Sequence, residues 1–158
     1  QQHRIARLVV EKLFGTVTGK RLAIFGFAFK ANTNDTREAP AIRICRDLLE
    51  EGAQLAIHDP KVAAHQIARD LQQEAAPQAD ALSGTGSWAE ASSVEDAVKG
   101  ADAVLVLTEW QEYGDLNWMA LAGQMRKPAW VFDARAITDH EQVRAAGLTC
   151  WCVGDGEG

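Results

Sequence analysis

The sequence is short of basic residues: 16 Lys and Arg stand against 22 Asp and Glu, for a net charge of −6. A surface that holds nucleic acid or an anionic membrane needs a surplus of Lys and Arg, which argues against both as general partners. Apolar runs are short too. None approaches the roughly 18 residues of a membrane-spanning helix, and no secretory leader is visible, so a cytoplasmic protein is expected. Cysteine is limited to 3 residues, Cys45, Cys150 and Cys152, without metal-type spacing. Buried reduced thiols are expected, with Cys150 and Cys152 on one face of a strand. His3, His65 and His140 fall on polar helical faces and suggest no metal site. No local Ser–His–acid or Cys–His motif stands out, so no catalytic residue is assigned.

What remains is an ordinary composition for one domain with a sizeable core, 47% hydrophobic over 158 residues. QQHRIARLVVEKLF opens without Met, with Ile5, Leu8, Val9 and Leu13 at helical spacing. A helix already under way is expected of a piece of a longer protein. RLAIFGF then reads as a buried strand and PAIRICRDLLEE as a helix, with Pro40 in its first turn and Gly52 just past its end. QLAIHD is a second strand closed by Asp59-Pro60, followed by a helix over 61–73. QEAAPQADALSGTGS reads as a surface loop. Beyond it come SWAE as a short strand, SSVEDAVKG as a helix capped by Ser92 or Ser93, and ADAVLVL as the clearest buried strand. LNWMALAGQM and DHEQVRAAG read as helices, AWVFDA and LTCWCVG as strands, and GDGEG as a frayed tail. This alternation predicts a three-layer α/β/α sandwich, Rossmann-like, with a mostly parallel sheet of five to six strands.

Open sheets of this kind bind ligands at the carboxyl ends of their strands, which singles out residues 26–38, 58–60, 108–114 and 133–137. GFAFKANTNDTREAP, after the first strand, is a polar loop of about a dozen residues where two to six are usual, and over-long loops often carry function. A dinucleotide fingerprint needs three glycines here, but Gly26-Phe27-Ala28-Phe29-Lys30-Ala31 has one. Asp59 ends the second strand, where a ribose-binding acid sits. It lies about 33 residues beyond Gly26 rather than the usual ~20, and a self-contained NAD module is disfavoured.

The loop suits a phosphate or sugar better. Lys30 is a compact cation, and Arg37 is a fixed fork that Asp35 is placed to orient. The alternative is a solvated loop whose charges pair among themselves. Of Phe27 and Phe29, one should face the core and the other a ligand. Asp133 and Arg135 follow another buried strand at the same edge, where a surface salt bridge is the competing reading for Arg135. Trp110 reads as a lid over core, and His58 as the partner of a turn.

KRLAIFGFAFKANTNDTREAPAIRICRDLLEEGAQLAIHDPKV, ADAVLVLTEW and KPAWVFDARAI, in this order, resemble the C-terminal domain of the UDP-glucose/GDP-mannose dehydrogenase family. The resemblance covers nearly the whole chain, and GFAFK…DTRE is its most specific part. It implies residues 1–19 as the end of a central connecting helix, 20–154 as the UDP-sugar-binding domain and 155–158 as a disordered tail. It also implies an NAD-dependent 6-dehydrogenase that oxidises UDP-glucose to UDP-glucuronate in two steps. Phe29, Lys30 and Arg135 would contact the UDP-sugar, and Arg37 would reach toward NAD. NAD itself would be held mainly by an N-terminal domain. The family's catalytic cysteine has no counterpart here, so the chain alone should be inactive. Its partners would be UDP or UDP-glucose, the enzyme's own N-terminal and central domains, and further copies in a homo-oligomer.

A GDP-mannose or UDP-amino-sugar dehydrogenase is the sister alternative, and a non-catalytic interaction module that kept the fold is another. Three departures stand out from the family pattern: Ala31 after the lysine, Ala39 where a capping Ser is common, and Ala134 in place of glycine before the arginine.

Overall fold

The computed structural model describes residues 3–76 and 86–154. Most of the Ala- and Gly-rich loop and the GDGEG tail therefore lie outside the described residues. Among the described residues six strands run: β1 (Arg21–Phe25), β2 (Gln54–His58), β3 (Ser87–Glu90), β4 (Ala103–Val106), β5 (Trp130–Asp133) and β6 (Thr149–Cys152). They form one sheet in the order β3-β2-β1-β4-β5-β6. Every neighbouring pair is parallel, so the sheet is wholly rather than mostly parallel.

A parallel sheet needs cover on both faces, and its strands read as continuous apolar runs for that reason. Leu22, Ile24, Leu55, Ile57, Leu105 and Phe132 point to one core. Ala23, Phe25, Ala56, Val104, Val106 and Val131, the alternate residues, point to the other. The first core is closed by α1 (Arg4–Lys12), α2 (Pro40–Glu50) and α3 (Ala64–Leu71), the second by α4 (Val94–Val98), α5 (Gln111–Gly114), α6 (Trp118–Ala122) and α7 (His140–Ala145). Helix α1 packs on the first core through Leu8 and Val9, with Leu13 just past its end also buried there. His3 Nδ1 lies 2.7 Å from Asp47 Oδ2 on α2.

Helix ends follow their local chemistry. Pro40 occupies the first turn of α2, and Gly52 beyond it takes φ +87°, a left-handed position that glycine adopts without strain. The Ser93, Asn117 and Asp139 side chains cap α4, α6 and α7. Ala39 caps α2 with no side-chain hydrogen bond. Helix α3 starts later than the predicted Lys61, because Asp59 Oδ1 accepts from Lys61 N and Val62 N at 2.8 and 3.0 Å and turns the chain there. The single turn of α5 was not expected from TEWQEYGD; it forms because Tyr113, fully buried, anchors it in the second core. Among the described residues no helix is long and apolar enough to cross a membrane.

Candidate nucleotide site at the strand ends

With this strand order the topological switch lies between β1 and β4, and the crevice outside their carboxyl ends is the expected ligand position. Its first wall is the turn after β1. Gly26 has φ +96°, and a Cβ there would meet Thr108 Cβ at 2.4 Å, so only glycine lets the β1 and β4 turns touch. The Gly26 amide donates to His58 O at 2.7 Å, and Thr108 Oγ1 donates to Ala28 O at 2.8 Å. Phe27 and Ala28 donate their amides to Asp59 Oδ2 at 2.8 and 3.0 Å. The Trp110 indole donates to the same oxygen at 3.3 Å while its ring covers core, as expected.

Beyond these clamped residues the loop opens outward. Phe27 is fully buried and Phe29 is 45% exposed, which decides the division of labour between the two rings. Lys30 is exposed. Its loop folds back where Phe29 N donates to Asp35 O at 2.8 Å. Arg37 sets its fork on Asp35, Nε to Oδ1 at 3.1 Å and Nη2 to Oδ2 at 2.9 Å. These side-chain bonds, helped by the Arg37 amide, lower the Asp35 pKa to about 2. The same pairing raises the Arg37 pKa. Asp35 thus orients Arg37, and the two charges also pair with each other.

The second wall is the turn after β5. Asp133 is fully buried. Its Oδ1 accepts from Arg135 N at 3.0 Å, and its Oδ2 accepts from Ile137 N, Thr138 N and Thr138 Oγ1 at 2.9, 2.8 and 2.6 Å. Arg135 leaves this turn to form an ion pair with Glu109 Oε1 at 3.0 Å. The salt-bridge reading of Arg135 therefore describes this state, with Glu109 as the partner that sequence reasoning missed. Ala134 keeps an ordinary φ, and the left-handed residue of this turn is Ala136, at φ 57°. The alanine in place of glycine is accommodated.

Below the crevice, His58 Nδ1 lies 2.8 Å from Tyr113 Oη, and Tyr113 stacks on Phe25 with ring centroids 5.2 Å apart. Burial lowers the His58 pKa and raises that of Tyr113. This pair supports the turn, as expected of His58. Cys45 is a buried thiol whose pKa burial raises. His140, read as a polar-face residue, instead meets Asp133: its Nε2 is 3.4 Å from Asp133 Oδ2. Cys152 lies nearby, the ligand atoms of all three falling within 4.8 Å of one another. Three donors already sit on Asp133 Oδ2, so this carboxylate supports the β5 turn through its hydrogen bonds.

One cavity adjoins the site and a larger one lies away from it. A polar depression of about 390 Å³, lined by Asn32, Thr33, Asn34 and Lys61, adjoins the β1 loop. A larger one of about 590 Å³ lies between α1 and α2 beside Asp47, Glu50 and Glu51. It sits at the C-terminal end of α2, across the sheet from the strand carboxyl ends, and its acidic lining suits no phosphate. Thus Phe29 and Lys30 follow β1 and Arg135, paired with Glu109, follows β5, on the two sides of β4, while Arg37 pairs with Asp35 later in the β1 loop.

Residues 23–140 match the UDP-glucose/GDP-mannose dehydrogenase family, UDP binding domain. The chain is 42% identical over 154 residues to the UDP-glucose 6-dehydrogenase of Drosophila melanogaster, covering 98% of this chain and 32% of that protein. It is 41% identical over 155 residues to the UDP-glucose 6-dehydrogenase of Caenorhabditis elegans, covering 98% and 31%. The chain thus spans about a third of the length of the curated relatives it matches. Among solved structures, a UDP-D-ManNAc dehydrogenase from Pyrococcus horikoshii superposes with a TM-score of 0.70 at 24% identity, covering 99% of this chain and 31% of that one. A UDP-glucose dehydrogenase from Pyrobaculum islandicum does so with a TM-score of 0.65 at 24% identity, covering 94% and 28%. On the match across most of its length, the chain belongs to the UDP-glucose/GDP-mannose dehydrogenase family, within its UDP-binding domain.

Proposed function

We propose that this chain is the part of an NAD-dependent UDP-glucose 6-dehydrogenase that grips the nucleotide end of the substrate. The observation that carries the reading is the placement of Phe29 and Lys30 after β1 and of Arg135 after β5, at the carboxyl ends of the strands on either side of β4. Phe29 offers an exposed ring on which a planar base or sugar can lie. Lys30 supplies a compact cation for a phosphate. Arg135 offers a planar fork for paired phosphate oxygens once it gives up its ion pair with Glu109. All three position substrate, and none does chemistry.

In the parent enzyme the reaction would oxidise UDP-glucose to UDP-glucuronate in two steps. NAD would be held mainly outside these 158 residues, with Arg37 reaching toward it. Residues 1–19 would end a connecting helix, and the partners of 20–154 would be the enzyme's own N-terminal and central domains in a cytoplasmic homo-oligomer. The reading is tested by calorimetric titration of this chain with UDP, UDP-glucose, GDP and NAD, repeated on Lys30→Ala. Binding of UDP and UDP-glucose that is lost in Lys30→Ala, with silence for GDP and NAD, is expected. A wild-type chain that prefers GDP would move the substrate to a guanosine sugar, and one indifferent to all four would overturn the reading for this chain.

A further inference from the structure

The strand order and the position of Asp59 match a dinucleotide-binding half, in which an acid ending β2 reads a ribose and the β1 turn brings backbone amides to a pyrophosphate. Here those two elements bind each other. Ala28 stands where the second fingerprint glycine would be, and its amide, with that of Phe27, donates to Asp59 Oδ2. The Trp110 indole shares that oxygen, and Lys61 N and Val62 N take the other. A carboxylate has about four lone-pair sites, so five donors leave none for a ribose hydroxyl. We propose that Asp59 is a positioning and specificity-determining residue whose carboxylate fills the anion cradle of the β1 turn from within, denying it to a dinucleotide pyrophosphate and fixing the turn so that Phe29 and Lys30 face the nucleotide sugar.

The physical reasons are two. Adjacent backbone amides aimed at one point form an anion-binding concavity, and an anion already covalently attached holds it at high effective concentration. Phe27 and Ala28 immediately precede the pair that faces the ligand, so a turn without its anion is free to rotate Phe29 and Lys30 away. Asp59 also ties three turns to one atom group: after β1 through Phe27 and Ala28, after β2 through Lys61 and Val62, and after β4 through Trp110.

The role assigned to Phe29 and Lys30 rests on the nucleotide-sugar reading, whereas the filled cradle does not. The test uses the ¹⁵N-labelled chain with Asp59→Ala and Asp59→Asn. In Asp59→Ala the amides of Phe27 and Ala28 are expected to lose their protection from hydrogen exchange, and formate or inorganic phosphate to restore it while shifting those two resonances. UDP affinity should fall about tenfold or more and recover when formate is added. Asp59→Asn keeps one acceptor oxygen and should fall between, and it carries the same measurements if the alanine variant fails to fold. Unmoved Phe27 and Ala28 amides in a folded variant, or no response of them to formate, would overturn the cradle. UDP binding unchanged in Asp59→Ala would overturn the positioning role. If the wild-type chain takes no UDP while the amides respond as described, the nucleotide reading fails and the filled cradle stands.

Discussion

Two turns at the same edge of the sheet, after β1 and after β5, solve one problem by different means. Each gathers backbone amides on an aspartate and carries a basic residue, Lys30 or Arg135, within two residues of them. After β5 the anchor is local: Asp133 is satisfied by Arg135, Ile137 and Thr138, all within five residues. After β1 the anchor is remote, with Asp59 lying 31 and 32 residues from the amides it accepts and 51 from Trp110. The local turn has its aspartate satisfied by its own residues, and needs its neighbour β4 only for the Glu109 that pairs with Arg135. The remote one has its shape only while β2 and β4 are docked beside β1. The first can be read from its own stretch of sequence, and the second only from the fold.

The difference can be sharpened by removing the anchors. Asp133→Ala should have the largest effect on stability, because it strands buried donors; about 4 kcal/mol is expected from the loss of several hydrogen bonds to a buried carboxylate, read by urea denaturation. Gly26→Ala attacks the other turn where it touches Thr108. Its cost should be about 3 kcal/mol, from strain at positive φ plus displacement of the β4 turn, and adding Thr108→Ser should recover none of it, because the Cβ, Oγ and amide nitrogen that the new methyl meets all remain.

Mild acid should weaken the β1 side further. His58 carries the carbonyl that holds Gly26, and burial lowers its pKa. The unfolded chain therefore binds a proton that the folded state resists. The stability from this group is complete above the ordinary histidine value of about 6.5 and is lost as pH falls below it. Urea midpoints at pH 7.5 and 5.5 should differ more in the wild type than in His58→Gln. Ala39→Ser is expected to gain about 1 kcal/mol by restoring an N-cap to α2, measured the same way. The smallest effect belongs to Asp35→Asn, which leaves the thermal midpoint unchanged because Asp35 and Arg37 pair at the solvent-exposed loop.

The architecture was legible because its signals are periodic and local. Apolar runs such as LAIF and AVLV mark strands covered on both faces, and Pro40 and Gly52 bracket α2. GFAFK and FDAR could be placed at strand ends for the same reason; that one of Phe27 and Phe29 would be buried and the other exposed was legible, but which of them was not. Contacts that join distant strands left no such trace. Asp59 reads as a ribose acid by position, and only the docked β1 turn shows that its lone pairs are taken. Glu109 is one acid among many until β4 and β5 lie side by side. His140 belongs to a polar helix face by periodicity, yet the first residue of α7 points back to the β5 turn.

The parallel order that brings residues 26–30, 108–110 and 133–135 to one crevice also sets when that crevice can exist. These segments are far apart in the chain, and parallel pairings of such separation close late because loop entropy must be met first. A ligand that needs all three recognises only the completed sheet. It should therefore leave the folding rate unchanged and slow unfolding alone, acting as a clamp on the finished domain rather than as a template for its assembly.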